Sequence, residues 1–308
     1  MILEESYRLN NGVEIPKLAL GTWLIDDDKV ADAVRSAIEI GYRHVDTAQA
    51  YGNERGVGEG VRNCGVPREQ LFVTSKVAAE HKTYSTAAAS IDETLQVTGL
   101  DYLDMMIIHS PQPWVEVNQS DDRHEAGNVD AYRALEDALV AGKLRAIGVS
   151  NFYPERLIDV ALLAEVVPAV NQIETHPFRQ QDAAHEVMAG LGVAHEAWAP
   201  FAEGKNSIFT NPVLAAIGEK YGKKPGQVIL RALMHKDVIV IPKSVRRARM
   251  EENFDVFDFS LDEEDMAAFA ALDDGAFPRI FDHYDPKTVA WLLGDYVKKN
   301  QLGGGTLY

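Results

Sequence analysis

The sequence of 308 residues predicts an α/β fold, a (β/α)8 TIM barrel with an N-terminal β-hairpin and extra C-terminal helices. Three observations lead there. Eight short apolar runs alternate with longer segments of helical period, and eight is the number a closed barrel requires. The runs are almost continuously apolar, as strands are when a parallel sheet is covered on both faces. No stretch rich in Gly, Pro or Ser divides the chain, so one domain over residues 1–308, with a tail from about residue 275, is expected rather than two.

Taken in order, Asn10-Asn11-Gly12 between Tyr7-Arg8-Leu9 and Val13-Glu14-Ile15 predicts a hairpin with a two-residue turn. Strands follow at 18–22, 44–46, 72–76, 104–109, 146–150, 169–173, 193–198 and 238–243. A helix is expected over 28–40, where Val30, Ala33, Val34, Ala37 and Ile38 recur three and four apart and Gly41 supplies a C-terminal cap. Segments 129–140 and 181–191 share that spacing and also run into glycine. Beyond the eighth strand, Ser260-Leu261-Asp262-Glu263 reads as a capping box that opens an acidic helix to about residue 272. Ten acidic residues lie between Glu251 and Asp274, and a solvated helix face explains most of them. A further helix is expected over 286–299 and a flexible end over 303–308.

With 46% apolar and 25% charged residues, the chain has the composition of a soluble protein with a proper core. A net charge of −17 argues against a general binder of nucleic acid or anionic membrane, both of which need a positive field. Cys64 is the only cysteine, which excludes an internal disulfide and disfavours a zinc site; no metal is expected. The first residues, Met1-Ile2-Leu3-Glu4-Glu5-Ser6, are acidic where a signal peptide would be basic, and no apolar run is long enough to span a bilayer. A cytoplasmic protein is expected.

Polar residues end the apolar runs: Asp46, Lys76, His109, Ser150 with Asn151, Gln172 with Glu174, Trp198 and Lys243. In a β/α barrel these ends share one rim, where active sites sit. Taken singly, each has an ordinary reading: Asp46 as a helix cap, Lys76 as a surface lysine, His109 as a core histidine, Tyr51 as a packing residue. Their combination on adjacent strand ends is harder to explain that way. A tyrosine hydroxyl, with a reference pKa of about 10, needs help to act as an acid at neutral pH. A nearby lysine lowers that pKa, a carboxylate holds the lysine, and a histidine positions a carbonyl oxygen. Lys243, Arg246, Arg247 and Arg249 put four cations into seven residues where a strand runs into a helix, a setting suited to phosphate. No Gly-x-Gly-x-x-Gly turn supports a Rossmann domain.

The chain resembles the aldo-keto reductases over almost its whole length. The resemblance is carried by Gly41-Tyr-Arg-His-Val-Asp-Thr-Ala-Gln-Ala-Tyr-Gly-Asn-Glu54, Leu103-Asp104 with Ile108-His109-Ser-Pro111, Gly148-Val-Ser-Asn-Phe152, Asn171-Gln-Ile-Glu-Thr-His-Pro177, and Ile241-Pro-Lys-Ser244 with Arg249 and Glu252-Asn253. Through Glu196-Ala-Trp-Ala-Pro200, Ser244-Val-Arg-Arg247 and Asp255-Val-Phe-Asp-Phe259 it looks closest to the bacterial branch containing 2,5-diketo-D-gluconate and methylglyoxal (glyoxal) reductases. The resemblance implies an NADPH-dependent oxidoreductase that reduces small aldehydes, α-dicarbonyls or keto-sugar acids. It implies Tyr51 as general acid, Lys76 as its partner, Asp46 as the anchor of that lysine and His109 as the residue orienting the carbonyl. Ser150, Asn151, Gln172 and Trp198 would hold the nicotinamide, Lys243, Ser244 and Arg249 the 2′-phosphate, and Glu252 with Asn253 the adenine. Trp23 (next to Thr22), Ser110 and Trp114 would line the substrate pocket. Departures fall there: Ser110 stands where many members have Trp, and Val77-Ala-Ala-Glu80 replaces a common Leu-Trp pair. Two other functions fit some of these residues: an NADPH-binding sensor with little catalysis, or a barrel aldolase using Lys76 as a Schiff base. A small-molecule carbonyl partner and a monomer or weak dimer are expected.

Overall fold

The computed structural model describes residues 5–116 and 122–280. The expected helix at 286–299, the flexible end and most of the tail lie outside them. Strands β1 (Ser6–Arg8) and β2 (Glu14–Pro16) form an antiparallel hairpin. Then come β3 (Ala19–Gly21), α1 (Asp27–Ile40), β4 (His44–Asp46), α2 (Glu54–Arg62), β5 (Phe72–Val77), α3 (Tyr84–Thr98), β6 (Leu103–Ile108) and α4 (Glu125–Val140). The second half follows with β7 (Leu144–Ser150), α5 (Pro154–Leu163), β8 (Val170–Glu174), α6 (Asp182–Leu191), β9 (Ala194–Trp198), α7 (Pro212–Tyr221), α8 (Pro225–His235), β10 (Val238–Val240), α9 (Arg247–Phe254) and α10 (Glu263–Ala270). Strands β3 to β10 pair in chain order, all parallel, as eight strands of one sheet. Parallel bridges Leu18–Val240 and Gly21–Lys243 join its two edges and close the barrel.

The elements follow from burial. Every residue of β5 and β6 is buried, which a strand enclosed by helices on one face and barrel interior on the other demands. Helix α1 buries Val30, Ala31, Ala33, Val34, Ala37 and Ile38 and ends at Gly41, whose φ of 134° and contact with the Phe254 ring leave no room for a side chain. The hairpin closes the barrel floor: Leu9 and Ile15 pack on Phe72, Met105, Ile107 and Ile239.

Three local expectations are corrected. Leu9 N–H bonds Val13 O, so Asn10, Asn11 and Gly12 form a three-residue turn rather than a two-residue one; Gly12, at φ 86°, supplies the left-handed residue that such a loop needs. The cap of α10 is Asp262, which accepts from Asp265 N–H at 2.8 Å, because Asp262 rather than Ser260 adjoins the first turn; Ser260 faces His235 instead. Helix α4 opens at Glu125 rather than 129, since its first turn is polar and packs on a loop instead of the core.

At the floor, Asp104 is fully buried and binds Arg68 at 2.7 Å, Arg145 at 2.6 Å and Val73 N–H at 2.9 Å. Asp104→Ala is expected to cost about 3 kcal/mol in urea unfolding, because it removes the buried acceptor shared by Arg68, Arg145 and the Val73 N–H. A loss below about 1 kcal/mol would show that solvent already carries both arginines.

Candidate active site

The C-terminal strand ends meet at one mouth, where a cavity of about 560 Å³ is walled by Asp46, Tyr51, His109, Ser150, Asn151, Gln172, Trp198, Lys243 and Arg249 among others. That size suits a small-molecule site. Asp46 ends β4 and Lys76 lies on β5, next to it in the sheet. Lys76 is fully buried and spends its donors on Asp46 Oδ1 at 2.6 Å, Thr47 O at 2.9 Å and Tyr51 Oη at 3.2 Å. Tyr51 ends a tight turn closed by Gly52 at φ 64°. Gln49 of the same turn bonds Ser90 O, Thr94 Oγ1 and Ala78 N–H, which staples it to α3 and β5. His109 meets Tyr51 edge to face at 5.6 Å and Trp114 likewise at 5.5 Å.

The electrostatics correct one expectation. Burial, then the charges of Asp46, Glu196 and Glu203, hold the Tyr51 hydroxyl well above its usual pKa. Despite the Lys76 contact at 3.2 Å, burial and the surrounding carboxylates decide the direction. Burial, with help from Lys76 and Lys82, also holds His109 well below the usual imidazole range, so the ring is neutral; its Nδ1 is buried without a partner. The mouth therefore presents a protonated phenol and a neutral imidazole.

Beside them, Asn151 Nδ2 donates to His109 O at 2.9 Å and to Ser150 Oγ at 3.2 Å, while its Oδ1 accepts from Trp198 Nε1 at 3.0 Å. Ser150 Oγ donates to Gln172 O at 2.8 Å, and Gln172 Nε2 donates to Asp46 Oδ2 at 2.9 Å. Among the described residues no carboxylate pairs with Lys243 or Arg249 on the cavity wall, whereas Arg247 is taken by Glu39 and Glu251. Ser244 is buried and caps Arg246 N–H at 3.0 Å. Glu252 is drawn to Lys224 and Asn253 is buried on α9; neither walls the cavity.

Trp23, Ser110 and Trp114 all line the cavity. The loop carrying the last two is pinned from the β5–α3 connection by groups that sequence reasoning missed. Glu80 accepts from Trp114 N–H at 3.1 Å, Lys82 donates to Ser110 O at 2.6 Å and to Asn128 Oδ1 at 2.9 Å, and Asn128 donates to Pro111 O at 3.0 Å. Burial lowers Lys82 to a pKa of about 7. Asn53, which carried no assignment, is fully buried and ties Thr22 O and Ile25 O to Thr47, each at 2.9 Å, bracing the loop that bears Trp23. Nothing in the spacing of these residues marked them, since each contact joins loops distant in sequence.

Known proteins resemble this chain throughout the barrel. Residues 17–274 match the family model described as Aldo/keto reductase family. The chain is 41% identical to the glyoxal reductase of Bacillus subtilis over 271 residues, covering 88% of this chain and 93% of that protein. It is 38% identical to the methylglyoxal reductase DkgA of Escherichia coli over 272 residues, covering 87% and 93%. The crystal structure of a Bombyx mori aldo-keto reductase in complex with NADP superposes with a TM-score of 0.81 at 33% identity, covering 90% of this chain and 95% of that one. Among the described residues no helix is long and apolar enough to cross a membrane, and no cluster of His, Cys, Asp and Glu can hold a metal ion.

Proposed function

Because the chain belongs to the aldo/keto reductase family, an oxidoreductase family acting on carbonyls, we propose that it reduces small aldehydes, α-dicarbonyls or keto-sugar acids to alcohols with NADPH, Tyr51 serving as the general acid. The observation that carries the reading is Lys76 held between Asp46 at 2.6 Å and the Tyr51 hydroxyl at 3.2 Å. Tyr51 Oη accepts from Lys76, so its own proton is left to donate into the cavity. As that proton passes to a carbonyl oxygen, the phenolate formed lies against an ammonium already in place, with no reorganisation required. Neutral His109 can give the same oxygen a second hydrogen bond.

The residues fit the cofactor. Trp198 offers a flat aromatic wall, Ser150, Asn151 and Gln172 surround it with amide and hydroxyl groups, and Lys243 with Arg249 supplies cations for a phosphate, with Ser244 between wall and helix. Glu252 and Asn253 on α9 do not wall the cavity, and their assignment to the adenine rests on the family resemblance alone. When bound, the nicotinamide supplies the hydride. The glyoxal and methylglyoxal reductases among the relatives favour α-dicarbonyls as substrates. A panel of methylglyoxal, a diketo-sugar acid and simple aldehydes, run with NADPH and NADH in parallel, tests the reading through loss of NADPH absorbance. Turnover of a dicarbonyl with NADPH is expected. Tight NADPH binding without turnover of any carbonyl would point to a sensor, and borohydride trapping of a substrate on Lys76 to Schiff-base chemistry.

A further inference from the structure

Beneath the mouth, the barrel interior holds a polar layer that the proposed reaction leaves unused. Its members are His44, Thr74 and Glu196, all fully buried below Gln172. Glu196 lies on β9 and does not wall the cavity. Its Oε2 accepts from Gln172 Nε2 at 2.9 Å, and the same nitrogen donates to Asp46 Oδ2 at 2.9 Å. Its Oε1 has no hydrogen-bond partner; His44 Nε2 stands 3.9 Å away, itself bonded to Thr74 Oγ1 at 3.0 Å. A carboxyl group this deep is costly compared with an apolar side chain of similar volume.

What it does to Gln172 gives the reason. A primary amide has two N–H donors on one nitrogen and two acceptor lone pairs on its oxygen. Asp46 and Glu196 take both donors, so Gln172 has only its acceptor left for the cavity. Asn151 is in the same condition: His109 O and Ser150 Oγ take its donors, and Trp198 takes one lone pair. The Ser150 hydroxyl proton goes to Gln172 O. The wall beside Trp198 is therefore acceptor-only.

We propose that Glu196 is a positioning residue that acts through Gln172: by holding the second N–H, it makes this wall accept from a carboxamide –NH2 on a bound pyridine ring and reject a carboxylate there. This rests on the reading that Gln172 faces the nicotinamide. Burial and the neighbouring Asp46 raise Glu196 to a pKa of about 8, with Gln172 and Lys76 opposing. Ionised or protonated, the group still offers Gln172 an acceptor oxygen.

Full-length wild type, Glu196→Gln, Glu196→Leu and Glu196→Met are to be titrated calorimetrically with NADP+, its nicotinic acid analogue and adenosine 2′,5′-bisphosphate. Wild type is expected to prefer NADP+ over the acid analogue by about 100-fold, since the analogue would set a carboxylate against unpaired acceptors. Leu and Met should shrink that preference by about tenfold, because the released N–H can turn toward the ligand. Gln, whose amide oxygen can take the N–H, should keep it. Adenosine 2′,5′-bisphosphate, which lacks the pyridine ring, should bind alike throughout. An unchanged preference in Leu and Met overturns the proposal, as does a loss shared by the bisphosphate, or both apolar variants failing to fold while Gln folds. A wild type that binds none of the three ligands would instead refute the cofactor site itself.

Discussion

Tyr51→Phe is expected to lower kcat for carbonyl reduction by about 10²–10⁴-fold, the range for losing a positioned general acid. Cofactor affinity should stay nearly unchanged. Phe keeps the edge-to-face contact with His109, and Lys76 keeps Asp46 and Thr47 O, so the mouth retains its shape. No other group can take over the proton. Two of the three Lys76 donors stay spent on Asp46 Oδ1 and Thr47 O, which holds the ammonium on the Asp46 side rather than where the Tyr51 hydroxyl stood, and Asp46 is itself engaged by Lys76 and Gln172. His109 is held neutral by burial and can donate a hydrogen bond more readily than it can release a proton. The raised Tyr51 pKa has a definite sign: the acid form persists through neutral pH, ready for reduction. An interaction made only as charge develops should lower kcat and kcat/KM together. Wild-type turnover in this variant would remove Tyr51 from the acid role.

The barrel is legible in the sequence because each strand is an apolar run and each run stops at a polar residue. Asp46, Lys76, His109 and Gln172 lie far apart along the chain, yet the parallel register brings them to one rim. What stays hidden depends on depth and partners rather than on period. Glu196 reads as one more polar residue in a strand; only the closed sheet shows it beneath Gln172, without solvent. Lys82 looks like a surface lysine, and its burial against Ser110 O emerges only once two loops meet. The direction of the Tyr51 shift is hidden for a similar reason. Strand order predicts a lysine near the phenol, but not that the phenol is withdrawn from water among Asp46, Glu196 and Glu203, which outweighs that lysine. Ser260 and Asp262 both suit a cap, and packing chooses between them.

Arg249→Ala should raise the KM for NADPH by about 10–100-fold while leaving that for NADH within about twofold, since charge-assisted hydrogen bonds contribute about 1.5–3 kcal/mol each. Four cations in seven residues are unusual for a chain of net charge −17, and the structure divides them. Arg247 is held by Glu39 at 2.8 Å and Glu251 at 3.0 Å, on the outside of α9. Lys243 and Arg249 line the cavity, and among the described residues no carboxylate forms a close ion pair with either, although Glu203 on the same wall is near enough to feel the charge of Lys243. A phosphate dianion would give Arg249 the close anionic partner it lacks; NADH, without the 2′-phosphate, would not. Arg247→Ala therefore serves as the internal control and should leave both cofactors nearly unaffected. Added salt should weaken NADPH more than NADH in the wild type, and this difference should shrink in Arg249→Ala. Equal losses for NADPH and NADH in that variant would mean that Arg249 supports the fold of the α9 entrance, and that the 2′-phosphate is recognised elsewhere.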